Sequence, residues 1–373
     1  LFFVEHKKPS GVWIMAYTTI DDPSAYFQTA LYTGNGGTLA VTNDGNSDMQ
    51  PDWVWAKSRT QANSHVFFDV VRTFAGDKEI QSNNTGAEGA SDSAGYGYIS
   101  AVGSDGFTAK AGTTAGDYTN VSSQNYVAWQ WKAGTSFSND ASSTSVGSID
   151  SAGSVNTDAN FSIIGYTGTG GNGTVAHGLG VAPSMIIFKN RDTTNNWNVF
   201  HKTLGNAKFI RLNDTGAAGN TSRFNSTSPT SSVFSLGTTT AVNGSGNSII
   251  AYCFADVKGY SKMGSYEGNG ANDGPFVYTG FKPAFLLLKN ADAGGKWVMF
   301  DTKRDPFNVV GGRLFASVDT NELTGSNFLD INSNGFKILT GDTDHNGDEK
   351  TNIYMAFAEN PFVTSTGIPA TAR

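Results

Sequence analysis

A chain of 373 residues with 25 basic against 32 acidic side chains, formal charge −7, carries no basic run able to neutralise a line of phosphates, so the composition argues against nucleic-acid binding. Forty-five glycines with only 15% charged residues, amid abundant Ser, Thr and Asn, describe turns and short strands, and the expected class is all-β. Cys253 is the only cysteine, which excludes an internal disulfide or a cysteine-built zinc site, and no stretch approaches the roughly 20 apolar residues of a membrane helix.

The first segment, LFFVEHKKPSGVWI, places its apolar residues ahead of Glu5, His6, Lys7 and Lys8, the reverse of a secretory signal. Met15 followed by AYTTIDDP reads as a natural start, with residues 1–14 as an upstream extension. Asp22 as N-cap and Pro23 in the first turn predict a short helix through SAYFQ, so 1–30 is read as extension plus helix.

From residue 31 onward one pattern is written three times. Tyr32-Thr33-Gly34-Asn35-Gly36, Tyr166-Thr167-Gly168-Thr169-Gly170 and Tyr266-Glu267-Gly268-Asn269-Gly270 open the copies. An apolar run then leads from a proline to a lysine six residues on: Pro51 to Lys57, Pro183 to Lys189, Pro283 to Lys289. Eleven residues beyond each lysine stands Phe68, Phe200 or Phe300, followed by Asp69, His201 or Asp301. Each copy closes on a run, NYVAWQWKAG, SIIAYCFADV or NIYMAFAENP, that aligns Trp131, Phe254 and Phe357. Large residues there recur at period two with small ones between, the mark of a buried strand with one bulky face and one that allows close approach. A proline heading each central run suits a strand start.

About seven strands per 100 residues predict three tandem β-sandwich, jelly-roll-like repeats: 31–134, 161–263 and 264–373 with a C-terminal tail. Residues 135–160, rich in Ser, Gly, Asn and Asp, read as an extended linker, leaving the first copy less tightly apposed than the other two.

Few residues promise chemistry. Gly168, Gly170 and Gly173 spell the G-x-G-x-x-G of a dinucleotide loop, but Gly178, Gly180 and Pro183 stand where the helix should follow, and Gly173 has no counterpart in the other copies. A repeated β-turn is expected instead, and no cofactor. Residues 342–349, DTDHNGDE, match half of a calcium loop through Asp342, Asp344, Asn346 and Gly347, yet the twelfth position is Ile353. A hairpin loop is the expectation there. His6, His65, His177, His201 and His345 form no metal-ligand spacing, and a position that exchanges His201 for Asp69 and Asp301 reads as a strand end at the surface. No G-x-S-x-G elbow occurs, so no catalytic residue is assigned. Trp129 and Trp131 belong to the core, whereas Trp197 and Trp297, preceded by TTNN and AGGK, are the candidate exposed platforms for a glycan. Asn83 and Asn120 head N-x-[ST] sequons, which a chain this rich in Asn, Ser and Thr produces by chance.

MAYTTIDDPSAYFQTALYTGNGG, the segment from Gly178 to Asp192, SIIAYCFADVKGYSKMGSYEGNG and YMAFAENPF together resemble virion-associated proteins of tailed bacteriophages, especially those of marine bacteria. The likeness runs from Met15 onward. It implies a tail-fibre-like structural protein of the virion built on a repeated β domain of unknown function, with no catalytic residues to transfer. The partners it implies are other virion proteins, further copies of the same chain and a host surface glycan, with no nucleic acid and no membrane insertion. A head-decorating or cement protein is the first alternative, and a glycan-cleaving depolymerase the second.

Overall fold

Four strands recur in every copy, and the positions of the repeated motifs explain them. In the computed structural model, which describes residues 5–7, 13–91, 93–113 and 118–371, each copy has an opening strand ahead of its Tyr-x-Gly-x-Gly turn: Phe27–Thr33, Phe161–Thr167 and Ser261–Glu267. The proline-led runs are Trp53–Ser58, Met185–Asn190 and Phe281–Asn290, followed by a fourth-position strand at Val66–Asp69, Asn198–His201 and Val298–Asp301. The closing strands are Asn125–Trp131, Ser248–Phe254 and Thr351–Pro361. Each closing strand lies antiparallel between its opening and proline strands, so both ends of a copy meet in one sheet. A smaller antiparallel sheet covers one face: Thr38–Thr42 pairs Gly106–Lys110, Gly173–Ala176 pairs Val233–Leu236, and Phe276–Tyr278 pairs Gly335–Ile338. The protein is all-β, and each copy is a two-sheet sandwich.

The period-two alternation in the closing strands decides how the copies assemble. Ala128, Ala251 and Ala356 point into the separate sandwich interiors, where they leave room for Phe107, Phe234 and Phe336 of the small sheets. The bulky residues on the opposite face, Trp129 and Trp131, Tyr252 and Phe254, Met355 and Phe357, enter one core shared by all three copies. Phe357 sits edge-on to Trp131 at 5.6 Å and to Phe254 at 6.0 Å, and Trp53 stacks on Tyr252 at 4.6 Å. Three sheets therefore face one another around a central axis, and the closing strands are buried throughout from Tyr126 to Trp131, Ile249 to Phe254 and Asn352 to Ala358.

The ring closes head to tail. Backbone N–H groups of Glu88, Ala218 and Glu322, each in one copy, donate to the carbonyls of Arg191, Ala291 and Arg59 in the next, at 2.8, 2.8 and 2.9 Å. Two of the three seams carry a matching buried polar network. Between copies one and two, Asp69 accepts from Arg72 Nε and from the Tyr252 hydroxyl, both at 2.6 Å, while Glu88 accepts from Arg191 at 2.7 Å. Between copies three and one, Asp301 accepts from Arg304 Nε at 2.5 Å and from Trp129 Nε1 at 3.0 Å, and Glu322 joins Arg304 and Arg59 at 2.7 and 2.8 Å. In the remaining seam the same five places hold His201, Leu204, Met355, Ala218 and Ala291. Acid, arginine and neighbouring donor are exchanged as a set, because a buried carboxylate without its cation costs several kcal/mol. His201 is thus an interior residue, fully buried like Asp69, and the expected surface role is corrected: the adjacent copy covers that strand end.

The repeated glycines form a latch. A Cβ on Gly34, Gly168 or Gly268 would lie 2.0–2.3 Å from the carbonyl oxygens of Val121, Gly244 and Gly347, and Gly36, Gly170 and Gly270 have φ of 73°, 75° and 63°. The buried amides of Asn120, Asn243 and Asn346 fill the turns, accepting the N–H of Asn35, Thr169 and Asn269 at 2.8–3.0 Å. The Tyr32, Tyr166 and Tyr266 hydroxyls donate to the carbonyl just before each asparagine. Asn120, a sequon by its letters, is wholly buried in this role.

Three expectations are corrected. Residues 135–160 are no linker: Thr135–Asn139 and Ser151–Asn156 add two strands to the main sheet of copy two, and copy one packs into the shared core as fully as the others. The alternating pattern there was hidden by small residues. The 342–349 loop is a helical turn, Thr343–Asn346, capped by Asp342, and it crosses from the small sheet to the main one instead of forming a hairpin. The helix after Asp22 is a three-residue 3-10 turn, Pro23–Ala25, with Ser24 N donating to Asp22 at 3.0 Å. The segment 1–14, read as an upstream extension, falls largely outside the described residues; only the pairing of Glu5–Lys7 with Trp13–Met15 is placed.

Two sets of variants test this architecture by urea unfolding. Gly168→Ala should cost about 2 kcal/mol or more by forcing Cβ onto a backbone carbonyl, whereas at Gly173 the first atom met is the movable Ile149 side-chain tip and the loss should be smaller. Arg72→Leu alone should cost roughly 3–5 kcal/mol, and the combined set Asp69→His, Arg72→Leu, Glu88→Ala, Arg191→Ala, Tyr252→Met, which reproduces the apolar seam, should cost less than that single change.

Candidate functional site

The candidate glycan platforms lie inside the protein. Trp197 and Trp297 are fully buried, and their indole N–H groups donate to Gln81 O at 2.8 Å and Arg211 O at 2.7 Å in the preceding copies. An indole combines a large apolar area with one donor, and a seam supplies both burial and a carbonyl. His65 holds the same place in copy one, against the Phe315 backbone of copy three, and accepts from Trp55 Nε1 at 2.8 Å. Neither tryptophan can stack on an external ligand. The polar loops ahead of them suggested exposure; the shared offset of eight residues from each repeated lysine was the available contrary signal.

Those lysines are themselves interior. Lys57, Lys189 and Lys289 are fully buried and point their ammonium groups at backbone carbonyls: Ser58 and Gln61; Asn190, Asn195 and Thr85; Asn290, Ala293 and Thr215. Burial pushes them down to about 7, 8 and 8 from 10.5. Burial likewise pushes His177, His201 and His345 down to about 4 and His65 well below 6.5. Cys253 is buried, its thiol pushed up by desolvation. These groups sit at the seams and in the sandwich interiors, where they meet packing and no open site.

Asp342 and Asp344 of the partial calcium loop are engaged by protein donors. Asp342 caps its helical turn and pairs with Arg313 at 2.8 Å, and Asp344 accepts from Lys296 N at 3.0 Å. Among the described residues no group of three or more His, Cys, Asp or Glu is placed to share a metal ion, and no helix is long and apolar enough to cross a membrane. Gly168, Gly170 and Gly173 are followed by the strand Gly173–Ala176, not by the helix a pyrophosphate would need.

A cleft of about 340 Å³ opens at the seam of copies one and three, lined by Gln28, Thr29, Asp44, Lys303 and Glu359. Its charges are already matched, Lys303 to Asp44 at 2.6 Å and Glu359 to Lys282 at 2.8 Å. The outward feature that sets one copy apart is an aromatic face on copy three. On the edge strand Phe276–Tyr278, Val277 is buried while Phe276 and Tyr278 are 48% and 49% exposed. Tyr17 joins them through a hydroxyl contact of 3.0 Å to Tyr278, and Lys258 and Lys262 lie 4.4 and 5.5 Å from the Tyr17 and Tyr278 ring centres. No local signal marks this face, since its residues come from segments 17, 258–262 and 276–278.

The buried cations make stability pH-dependent in a defined direction. Folding favours the neutral forms, so the unfolded chain binds more protons between about pH 4 and 6.5 through the histidines and between about 7 and 10.5 through the lysines, and stability rises with pH in both windows. Buried Tyr32, Tyr166, Tyr252 and Tyr260, pushed above 10 by desolvation, reverse the slope at high pH. The melting temperature should climb from pH 5 to about pH 9 and fall beyond 10, and Lys289→Met should flatten the climb above pH 7; a melting temperature that peaks at or below pH 7 contradicts this.

No curated protein and no solved structure matches the chain. One family does, over residues 22–361, a span that takes in the main-sheet strands of all three copies: the chain belongs to the domain-of-unknown-function family DUF7483.

Proposed function

We propose that the chain is a structural component of a tailed-bacteriophage particle, in the tail fibre or receptor-binding apparatus, where it contacts the host surface. The observation that carries the proposal beyond the sequence likeness is the shared core: Trp131, Phe254 and Phe357 bind three sandwiches into one body with internal three-fold pseudosymmetry. Such a body can seat on a three-fold or six-fold axis of a particle through nearly equivalent contacts. Its interior charges are sealed and its loops differ from copy to copy, which suits a part that must keep its shape outside a cell while presenting surface. Further copies of the chain and other virion proteins are the partners in this reading, with weak single contacts to a host glycan multiplied by copy number.

Purified particles test it by gold-labelled antibody and quantitative mass spectrometry. A position on the tail with a copy number that is a small multiple of three is expected. Hundreds of copies over the head would overturn the fibre assignment in favour of decoration. Release of reducing ends from host capsule or lipopolysaccharide by the purified chain would overturn the non-enzymatic reading.

A further inference from the structure

The three copies superpose by register, so each position of a small sheet can be compared across the copies. Val41, Val175 and Val277 occupy one place, paired with Phe107, Phe234 and Phe336 across the small sheets. One residue before stand Ala40, Thr174 and Phe276; one after stand Thr42, Ala176 and Tyr278. Copy one leaves these two places exposed with Ala40 and Thr42 there, while in copy two Thr174 is half-buried and Ala176 buried, so an open place on this sheet folds without a ring. Roughly half-exposed aromatics at two positions of one edge strand leave apolar area in water that small residues would not.

The rings share one face. Phe276 and Tyr278 are two residues apart on the strand, so their side chains point the same way. Gly335, opposite Tyr278 in the ladder, leaves the space the Phe276 ring occupies, with Phe276 Cζ 3.0 Å from where a Cβ would stand. Tyr17 extends the face and is held by its hydroxyl bond to Gly280 O at 2.8 Å.

Cations outnumber acids beside the rings: Lys258 and Lys262 stand with the Lys337–Asp273 pair across the ladder from Phe276 and with Asp256 near Lys262. Lys262 donates to Tyr278 O at 2.7 Å, and among the described residues neither Lys262 nor Lys258 forms an ion pair. The other charged groups of the neighbourhood are matched: Lys337 with Asp273, Lys282 with Glu359 and Lys202 with Asp256. Two ammonium groups over a pair of tyrosines thus lack a salt-bridge partner among the described residues and can meet an outside anion.

We infer that the Tyr17–Phe276–Tyr278 face of copy three is a binding site for an anionic saccharide, its ring faces stacked on Phe276 and Tyr278 and its carboxylate or sulfate groups met by Lys258 and Lys262. The inference names a ligand class for the host contact proposed above, and it rests on that reading only for its biological setting. Aromatic rings offer apolar area at low cost in side-chain entropy, and the flanking cations select charge.

The full chain is tested by biolayer interferometry against immobilised oligogalacturonate and a sulfated oligosaccharide, with maltohexaose as neutral control. Binding to at least one anionic probe is expected, weakening as salt rises. Phe276→Ala with Tyr278→Thr, the residues of copy one, should lower affinity at least tenfold with the melting temperature unchanged, and Lys258→Gln with Lys262→Gln should weaken anionic binding severalfold. Equal affinity for maltohexaose, unchanged binding by the aromatic double variant, or no binding to either anionic probe overturns the site. A tail location without saccharide binding removes this site and leaves the particle reading standing; saccharide binding by a chain found nowhere on the particle does the reverse.

Discussion

Everything in this protein depends on the bulky faces of three closing strands meeting at one axis. An isolated copy one would leave Trp53, Trp55, Trp129 and Trp131 on a bare sheet, all of them fully buried in the intact chain. At about 200 Å² per indole and about 25 cal/mol per Å², their exposure forfeits on the order of 10–20 kcal/mol. A whole domain is stable by only about 5–15 kcal/mol, so the copies hold together as one unit despite looking like beads on a string in sequence. The small faces of the same strands complete the arrangement, because alanines at 128, 251 and 356 let each second sheet approach.

The seams show how a repeat diverges without losing its fold. Two junctions carry acid, two arginines, a second acid and an indole or phenol donor; the third replaces them with histidine, leucine, two alanines and methionine. Either set is self-consistent. A mixed set leaves a buried charge unpaired. The apolar junction demonstrates that the polar network is not required for closure, which fits the general finding that buried ion pairs contribute little net stability while their partial removal is costly. Divergence at the surface follows another rule, since Phe276 and Tyr278 face water where the exposed Ala40 and Thr42 stand in copy one.

The repeat, its strands and the all-β class were legible because they rest on local signals: equal offsets from proline to lysine, period-two bulk and paired glycines. The assembly was less so. Period two announced that a closing strand had two distinct faces, yet not that Trp129 would reach Asp301 of another copy, 172 residues away. Trp197 and Trp297 were misplaced because polar loops precede them, although their equal offset from Lys189 and Lys289 already marked a structural duty. His201 looked like a tolerant surface position for a related reason: its exchange with aspartate makes sense only beside Leu204 and Met355, which no single strand displays together. Residues 135–160 resemble a linker by composition because Ser, Gly and Ala strands carry little apolar contrast. The aromatic face draws on three separate segments and is visible only in the fold.

The shared core, added to the three sandwich interiors, makes the copies one cooperative unit. Urea unfolding followed in parallel by tryptophan fluorescence and far-UV circular dichroism, with calorimetry on the same sample, tests it most directly. Coincident single transitions and a calorimetric enthalpy equal to the van't Hoff value are expected. Separate transitions for fluorescence and secondary structure, or a calorimetric enthalpy two to three times the van't Hoff value, would show independently folding sandwiches and contradict it.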